Sequence, residues 1–339
     1  MSDDRNGHPR PEGARTSTVE EIAAELSGAP DRFVVTSHHN PDGDALGSML
    51  GLGRAMIAHG HDVVYAHRDE HPVPPELAFL MADGEAILPD LPPDAADRIL
   101  VAVDSATAMR LWPDRAPHTG VRKVINIDHH HDNTCFGHLN LVDGSASSSA
   151  EIVVHVLEAA GWMITREMAV PLYAGLITDT GRFCYANTTG ESHRVASVLL
   201  AAGVDPEELG RRLYEELPID RLRLLGRAMG TADLRCEGQL MVASLGPADF
   251  SASGGADTEG IVEAMRSVEG VRVAALARSV GTSSWRVSVR SDTDDVDVSA
   301  IARAEGGGGH RRAAGFTTKR PPDDLFAWME GQVADQLAS

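Results

Sequence analysis

Residues 33–44 read FVVTSHHNPDGD. The first five are apolar, β-branched or small, and predict a buried strand over 33–37. The next seven change character at once: His38, His39, Asn40, Pro41, Asp42, Gly43 and Asp44 make a polar loop. From Ala45 to Ile57 apolar residues return at helical spacing, at Leu46, Met49, Leu50 and Met56. A strand, a loop dense in reactive side chains and a helix form the opening unit of an α/β fold. The pattern recurs downstream. DVVYA (62–66), ILVAV (99–103) and KVINI (123–127) read as further strands, and 146–160 and 167–178 as helices. This alternation predicts an α/β fold with a doubly wound, mostly parallel sheet.

The reading extends outward in both directions. Residues 1–17 are polar and rich in Gly and Pro, and are expected to be a disordered tail. The first domain is expected over 18–202. A charged, helix-prone stretch follows, with Pro206 and Pro218 as helix starts, and reads as a helical connector over 203–233. From Leu234 the pattern resets. QLMVASL (239–245), VRVAALARSV (271–280) and SSWRVSVRS (283–291) read as strands, with helices near 257–268 and 322–337. These predict a smaller α+β domain over 234–337. Two domains suit 339 residues at roughly 150 residues each.

Fifty acidic residues against thirty basic ones leave a formal charge of −20. That balance argues against a partner made of long nucleic acid, which is gripped by clustered Lys and Arg. An apolar fraction of 42% excludes wholesale disorder. No run approaches the roughly 18 apolar residues of a transmembrane helix, so no membrane partner is expected. Cys135, Cys184 and Cys236 are odd in number and lack CxxC spacing, which speaks against a disulfide framework and a thiolate zinc site. The opening MSDDRNGHPRPEGARTS has no apolar core of a signal peptide. The expected compartment is reducing and cytoplasmic.

Four sets of Asp and His follow apolar runs: 38–44, Asp104 after ILVAV, Asp128-His129-His130-His131 after KVINI, and Asp179 in LYAGLITDTGRF. Ligands of doubly wound sheets gather at the carboxyl ends of strands, so three of these sets should converge on one crevice. A lone Asp at a strand end is ordinarily a turn or N-cap residue. Turn chemistry does not call for histidine at two of the four sets, however. Carboxylate and imidazole donors without thiolate suit Mn²⁺, Mg²⁺ or Fe²⁺. The donors outnumber the needs of one ion, and paired ions are the usual arrangement for phosphoester hydrolysis. Gly43 is expected to let the loop turn tightly between Asp42 and Asp44.

The order H-x-N-P-D-x-D, V-D, D-H-H-x-x-N and D-T-G-R-F resembles that of the DHH phosphoesterase family. The likeness continues at 306–316, GGGGHRRAAGF, which is similar to the GGGH-x-x-AAG signature of the DHH-associated C-terminal domain. By size and motif set the chain is most similar to the stand-alone nanoRNase or oligoribonuclease group. The resemblance implies two divalent ions, Mn²⁺ foremost. It gives His38 and Asp42 to one ion, Asp44, His129 and Asp179 to the other, and Asp104 to both. It places His130 beside the scissile phosphate, where an imidazole offsets developing charge. The implied reaction is attack by a hydroxide bridging the two ions, with a second domain closing over the substrate. His39 and His131 have no role in the family pattern.

The glycine stretch has a physical reading as well. Four consecutive glycines are costly filler, and exposed N–H groups ahead of a helix make a phosphate cradle. Residues 306–320 hold Arg311, Arg312, Lys319 and Arg320 and no acid. Gly307, Gly308, Gly309, His310 and Arg311 are therefore expected to bind substrate. Arg182 is read either as a phosphate contact or as a structural ion pair. Ser147, Ser148 and Ser149 read as N-caps ahead of substrate contacts. Tyr185, Trp285 and Trp112 are candidates for base stacking, and in a chain with 4% aromatics each reads first as core or interface. The expected substrates are di- to pentanucleotides or 3′-phosphoadenosine 5′-phosphate, with cyclic dinucleotides and their linear products as the alternative. A nucleotide-binding regulator without catalysis is the remaining one. Members of the family often form homodimers, and no segment here marks such an interface.

Overall fold

The computed structural model describes residues 11, 13–68, 73–112, 120–216, 218–253, 258, 260–281 and 283–338. The chain divides into two compact units, 1–216 and 217–339. In the first, seven strands form one parallel sheet: β1 (Arg15–Thr16), β2 (Arg32–Thr36), β3 (Asp62–Ala66), β4 (Ile87–Leu88), β5 (Ile99–Val103), β6 (Lys123–Asp128) and β7 (Leu139–Val142). Their order is β1-β7-β6-β5-β2-β3-β4. The helices are α1 (Val19–Leu26), α2 (Gly43–Ala58), α3 (Ser149–Ala159), α4 (Arg166–Asp179), α5 (Gly190–Ala201) and α6 (Pro206–Tyr214).

The central strands are buried on both faces, as parallel strands usually are. Phe33, Val35, Val101 and Ile125 pack with residues of α1 to α5 in the larger core. Val34, Leu100, Ala102 and Val124 turn the other way, onto Leu111, Trp112 and Phe136. That second face is covered, among the described residues, by loops and short 3₁₀ turns rather than a further layer of α-helices. Pro89, Pro92 and Pro93 lie in this covering stretch, where they deny the helix its amide donors. The chain winds outward in both directions from the neighbouring strands β2 and β5. That reversal of strand order is the topological switch point, where such sheets open a crevice at their carboxyl ends.

Two expectations change here. Residues 1–10 and 12 of the expected tail lie outside the described residues. Arg15 and Thr16 of that tail instead add a short strand beside β7. The strand is fixed because the buried Asn140 donates to the Arg15 carbonyl and its own carbonyl accepts from Ser17. The expected connector falls in two. Leu209 of α6 belongs to the core of the first unit, whereas Leu224 and Ala228 of α7 (Ile219–Gly230) belong to the second.

The second unit holds a six-stranded mixed sheet, β12-β13-β11-β10-β9-β8, in which only β9 and β10 run parallel. The strands are β8 (Asp233–Arg235), β9 (Leu240–Leu245), β10 (Val273–Val280), β11 (Ser284–Ser291), β12 (Gly308–His310) and β13 (Ala313–Thr318). The remaining helices are α8 (Pro247–Ala252), α9 (Ile261–Arg266), α10 (Val298–Ala304) and α11 (Pro322–Leu337). Residues of α10 and α11 cover one face. Those of α7 and α9 cover the other, over β9 and β10. The helix expected from 257 starts at Ile261, and 254–257 and 259 lie outside the described residues. Among the described residues no helix is long and apolar enough to cross a membrane.

Candidate metal centre and phosphate cradle

His38 follows β2, Asp104 follows β5 and His129 follows β6, so the parallel sheet delivers all three to one end of the switch point. Asp104 takes a left-handed backbone, φ 51, and its amide donates to the Ile127 carbonyl of the next strand. That turn sets its carboxylate among the histidines. His38 Nε2 lies 3.4 Å from Asp104 Oδ2, and His129 Nε2 lies 3.5 Å from Asp104 Oδ1. His129 Nε2 is also 3.6 Å from Asp179 Oδ2 and 4.0 Å from Asp44 Oδ2. The donor atoms of His38, Asp42 and Asp104 lie within 4.8 Å of one another, and so do those of Asp44, His129 and Asp179. All six expected ligands are therefore brought together as two triads in contact at Asp104.

Each side chain is oriented before any ion arrives. The Nδ1 of His38 donates to the His39 carbonyl, which can only accept, so Nε2 keeps its lone pair for the site. Asp42 is the N-cap of α2, yet one oxygen, Oδ1, takes both amides, of Asp44 and Ala45. Its second oxygen stays available, so the capping and ligand readings are compatible. Asp44 is 1% exposed and accepts from the Ser149 and Ala150 amides at the start of α3, at 2.6 and 2.9 Å. Ser149 Oγ donates to Asp104 Oδ1 at 3.0 Å. Of the three serines, Ser148 is the N-cap of α3 and Ser147 donates to the buried Glu151. Ser149 thus steadies two carboxylates, a role the sequence did not separate from its neighbours. Asn187, likewise missed, donates to the Asp179 and Ser147 carbonyls at 3.1 and 2.8 Å.

Gly43 corrects an expectation. It is the first residue of α2 rather than the bend of a loop, and its φ is not left-handed. A Cβ there would stand 2.3 Å from Thr178 Oγ1, so the glycine serves the close approach of α4 to α2.

His130 adjoins the triads: its Nδ1 lies 3.6 Å from Asp104 Oδ1, and with Asp104 and His129 it forms a third group of close donor atoms. Its Nδ1 donates to Asp128 Oδ1 at 2.8 Å, and Asp128, fully buried, also accepts from Asn133. Burial disfavours the imidazolium, but Asp128 and Asp104 carry its pKa up to about 9. His39 and His131 are exposed; His39 bonds the Arg110 carbonyl, and His131 lies against Gly144.

The cluster is strongly acidic. Burial raises the Asp44 carboxyl well above the usual range, and the charges of Asp104, Asp179 and Asp42 add to this. Burial and the charges of Asp104 and Asp42 push Asp179 up to about 8. Burial also opposes ionisation of Asp104, yet His38, His130 and His129 hold its carboxyl well below the usual range. Carboxylates this close cannot all stay charged without cations among them. Hard oxygen and imidazole donors, with no thiolate, fit divalent ions such as Mn²⁺, Mg²⁺ or Fe²⁺.

The second unit has its own concavity, an open trough of about 590 Å³ over β11, β12 and β13. Gly308, Gly315 and Ser288 stand side by side across the three strands, so its floor is nearly free of side chains. Gly307 and Gly309 are needed for packing: a Cβ on either would meet the β13 backbone at 2.3 to 2.5 Å. The glycine run therefore does not precede a helix as expected. It enters β12, the edge strand of an antiparallel hairpin. The expected cations also redistribute. Arg311 donates twice to the Asp294 carbonyl, Arg312 forms a two-pronged pair with the Asp294 carboxylate, and Arg320 pairs with Glu305. Neither Arg311 nor Arg312 lines the trough; Arg286 and Arg290 of β11 do. They flank Ser288 at the period-two spacing that puts strand residues on one face. The side chain of His310 lies outside the described residues.

Arg182 makes no structural ion pair among the described residues. Its guanidinium lies 4.4 Å over the Tyr214 ring. Trp112 is fully buried, and Trp285 packs at the edge of the second core.

The profile of the DHH family N-terminal domain matches residues 32–176, and that of the DHHA1 domain matches 239–330. The chain is 39% identical over 301 residues to the bifunctional oligoribonuclease and PAP phosphatase NrnA of Thermus thermophilus, covering 88% of this chain and 87% of that protein. It is 27% identical over 308 residues to the enzyme of the same description from Bacillus subtilis, covering 88% and 91%. Among solved structures, an exopolyphosphatase-related protein from Bacteroides fragilis shares the fold at a TM-score of 0.86 and 23% identity, over 94% of this chain and 96% of that one.

Proposed function

The chain belongs to the DHH family of phosphoesterases, and we propose that it hydrolyses di- to pentanucleotides to mononucleotides and 3′-phosphoadenosine 5′-phosphate to its monophosphate. The observation that carries this reading is the pair of donor triads meeting at Asp104. His38 and Asp42 would hold one divalent ion, Asp44, His129 and Asp179 the other, and Asp104 both. Such ions, Mn²⁺ foremost, supply Lewis acidity toward phosphoryl oxygens and lower the pKa of water.

The chain's own groups do the rest. The hydrogen bond to Asp128 favours the imidazolium form of His130, which would be available to the charge that develops on the phosphoryl group. Ser149 and the start of α3 hold Asp44 and Asp104 still, so little reorganisation accompanies reaction. In the second unit, the glycine floor admits a phosphate to backbone contact; Arg286 supplies charge at its side, next to Arg290, which is paired with Glu263. A short cradle in a chain of −20 suits short substrates better than long strands. The three cysteines are free, in keeping with a reducing compartment.

The test is a hydrolysis panel with metal-stripped protein reloaded with Mn²⁺. Diadenylate, pentaadenylate and 3′-phosphoadenosine 5′-phosphate should be hydrolysed, and a long single strand much more slowly. Preference for a cyclic dinucleotide or the long strand would overturn the substrate assignment.

A further inference from the structure

The loop that follows Asp179 presents an aromatic ring that the fold leaves uncovered. Residues 180–187 double back tightly. The amides of Cys184 and Tyr185 both donate to the Thr180 carbonyl at 3.0 Å, and the Phe183 amide donates to Thr180 Oγ1. Arg182 and Phe183 are both left-handed, φ 61, a conformation unfavourable to residues with a Cβ and kept only where surroundings enforce it. Asn187 closes the loop on the Asp179 carbonyl. The loop is thus closed onto the backbone of Asp179, whose side chain belongs to the second triad.

Its aromatic groups have different fates. Phe183 stacks on His193 at 4.8 Å, and Tyr214 lies beneath Arg182 with its hydroxyl donating to the Ile177 carbonyl. Tyr65 and Tyr173 are buried. Tyr185 alone among the four tyrosines is half exposed, at 52%. Its ring rests on Gly181, where a Cβ would stand 2.4 Å from Cε1 and Cζ. One side of the ring is therefore fixed against backbone, two residues beyond Asp179, while the rest faces solvent. An exposed ring, positioned by the loop that leaves Asp179, offers what a nucleobase requires, since every base has a face to stack.

We propose that Tyr185 is the stacking platform for the base of a nucleotide whose phosphate lies at the metal cluster. The inference rests on the phosphoesterase reading above. It makes Tyr185 the residue by which the first unit prefers nucleotides to simpler phosphoesters.

The experiment compares wild type, Tyr185→Ala and Tyr185→Phe, each loaded with Mn²⁺, on diadenylate and on two dinucleotides abasic at the 5′ or the 3′ residue. Tyr185→Ala should lower kcat/KM on diadenylate roughly 10- to 100-fold, mainly through KM, as loss of one stacked base does. The advantage of diadenylate over one of the abasic dinucleotides should fall by the same factor, and Tyr185→Phe should keep it. An equal loss on all three substrates, or an unchanged advantage in Tyr185→Ala, would overturn the proposal while leaving the phosphoesterase reading intact. Failure of the wild type on every dinucleotide would overturn both.

Discussion

Gly43 and Thr178 touch where a side chain on Gly43 would have to stand, 2.3 Å from the threonine hydroxyl. Their contact locks the start of α2 to the end of α4. Asp42 and Asp44 flank the glycine, and Asp179 follows the threonine, so carboxylates from distant parts of the sequence are set by one backbone approach.

Gly43→Ala should therefore part the helices and misplace three carboxylates together. Overpacking of this kind costs about 1–3 kcal/mol. The expected outcome is a lower melting temperature and a Mn²⁺ affinity reduced at least tenfold, checked by calorimetry on metal-stripped protein. Adding Thr178→Ala should recover part of both.

Ser149→Ala removes the hydrogen bond to Asp104 and leaves the α3 amides on Asp44 intact. Groups that orient metal ligands are worth roughly 10- to 100-fold in affinity or activity. Turnover of diadenylate should fall within that range while the melting temperature of the metal-free protein moves little. Full activity in Ser149→Ala would show that Asp104 needs no such support.

Much of this site was legible in the sequence, because its residues follow directly from strand ends. His38, Asp104 and His129 each stand at the first or second position after an apolar run, and a parallel sheet aligns such positions. What stayed hidden depends on packing between remote segments. Nothing local distinguishes Ser149 from Ser147 or Ser148; only the arrival of α3 beside Asp44 does. Gly43 looked like a turn glycine because its neighbour across the helix pair is 135 residues away, at Thr178. The strand β12 was missed because glycine has little strand preference, and pairing with β13 overrides that. The hydrogen bonds of Arg311 and Arg312 to Asp294 are not legible in the sequence, because Asp294 lies outside the cationic stretch 306–320.

Metal loading should release protons. In the metal-free protein, burial and neighbouring carboxylates raise Asp44 well above the usual range and hold Asp179 at about 8, so the cluster retains protons at pH 7, Asp179's among them. Ligation requires the ionised forms. Mn²⁺ affinity should therefore rise with pH up to about 8 and then level off. Titration calorimetry in buffers of different ionisation enthalpy measures the released protons directly; a value near zero at pH 7 would contradict the acidic cluster described here.

Stability has a separate acid-sensitive element at the far end of α2. Arg54 makes a two-pronged pair with Glu85 and also donates to the Leu80 and Glu167 carbonyls. Burial opposes the charge on Glu85, but Arg54 holds its pKa below the usual value of 4.5. A depressed carboxyl contributes stability that is present above the unfolded value and lost as pH falls through the folded one. Glu85→Gln should cost about 1.5–3 kcal/mol at neutral pH. Urea unfolding should show that difference shrinking as pH falls below 4.5. A pH-independent difference would mean the pair acts through shape alone.

The central claim is that Asp104 joins two ion sites into one hydrolytic centre, and Asp104→Ala tests it most directly. The measurement is Mn²⁺ bound per chain alongside diadenylate hydrolysis, for wild type and variant under the same loading. The account predicts two ions and rapid turnover for the wild type, and for Asp104→Ala weakened binding of both ions with turnover lowered roughly a hundred- to a thousandfold, the scale of losing a principal electrostatic group. Wild-type turnover in Asp104→Ala, or a wild type that hydrolyses diadenylate with its ions removed, would contradict it.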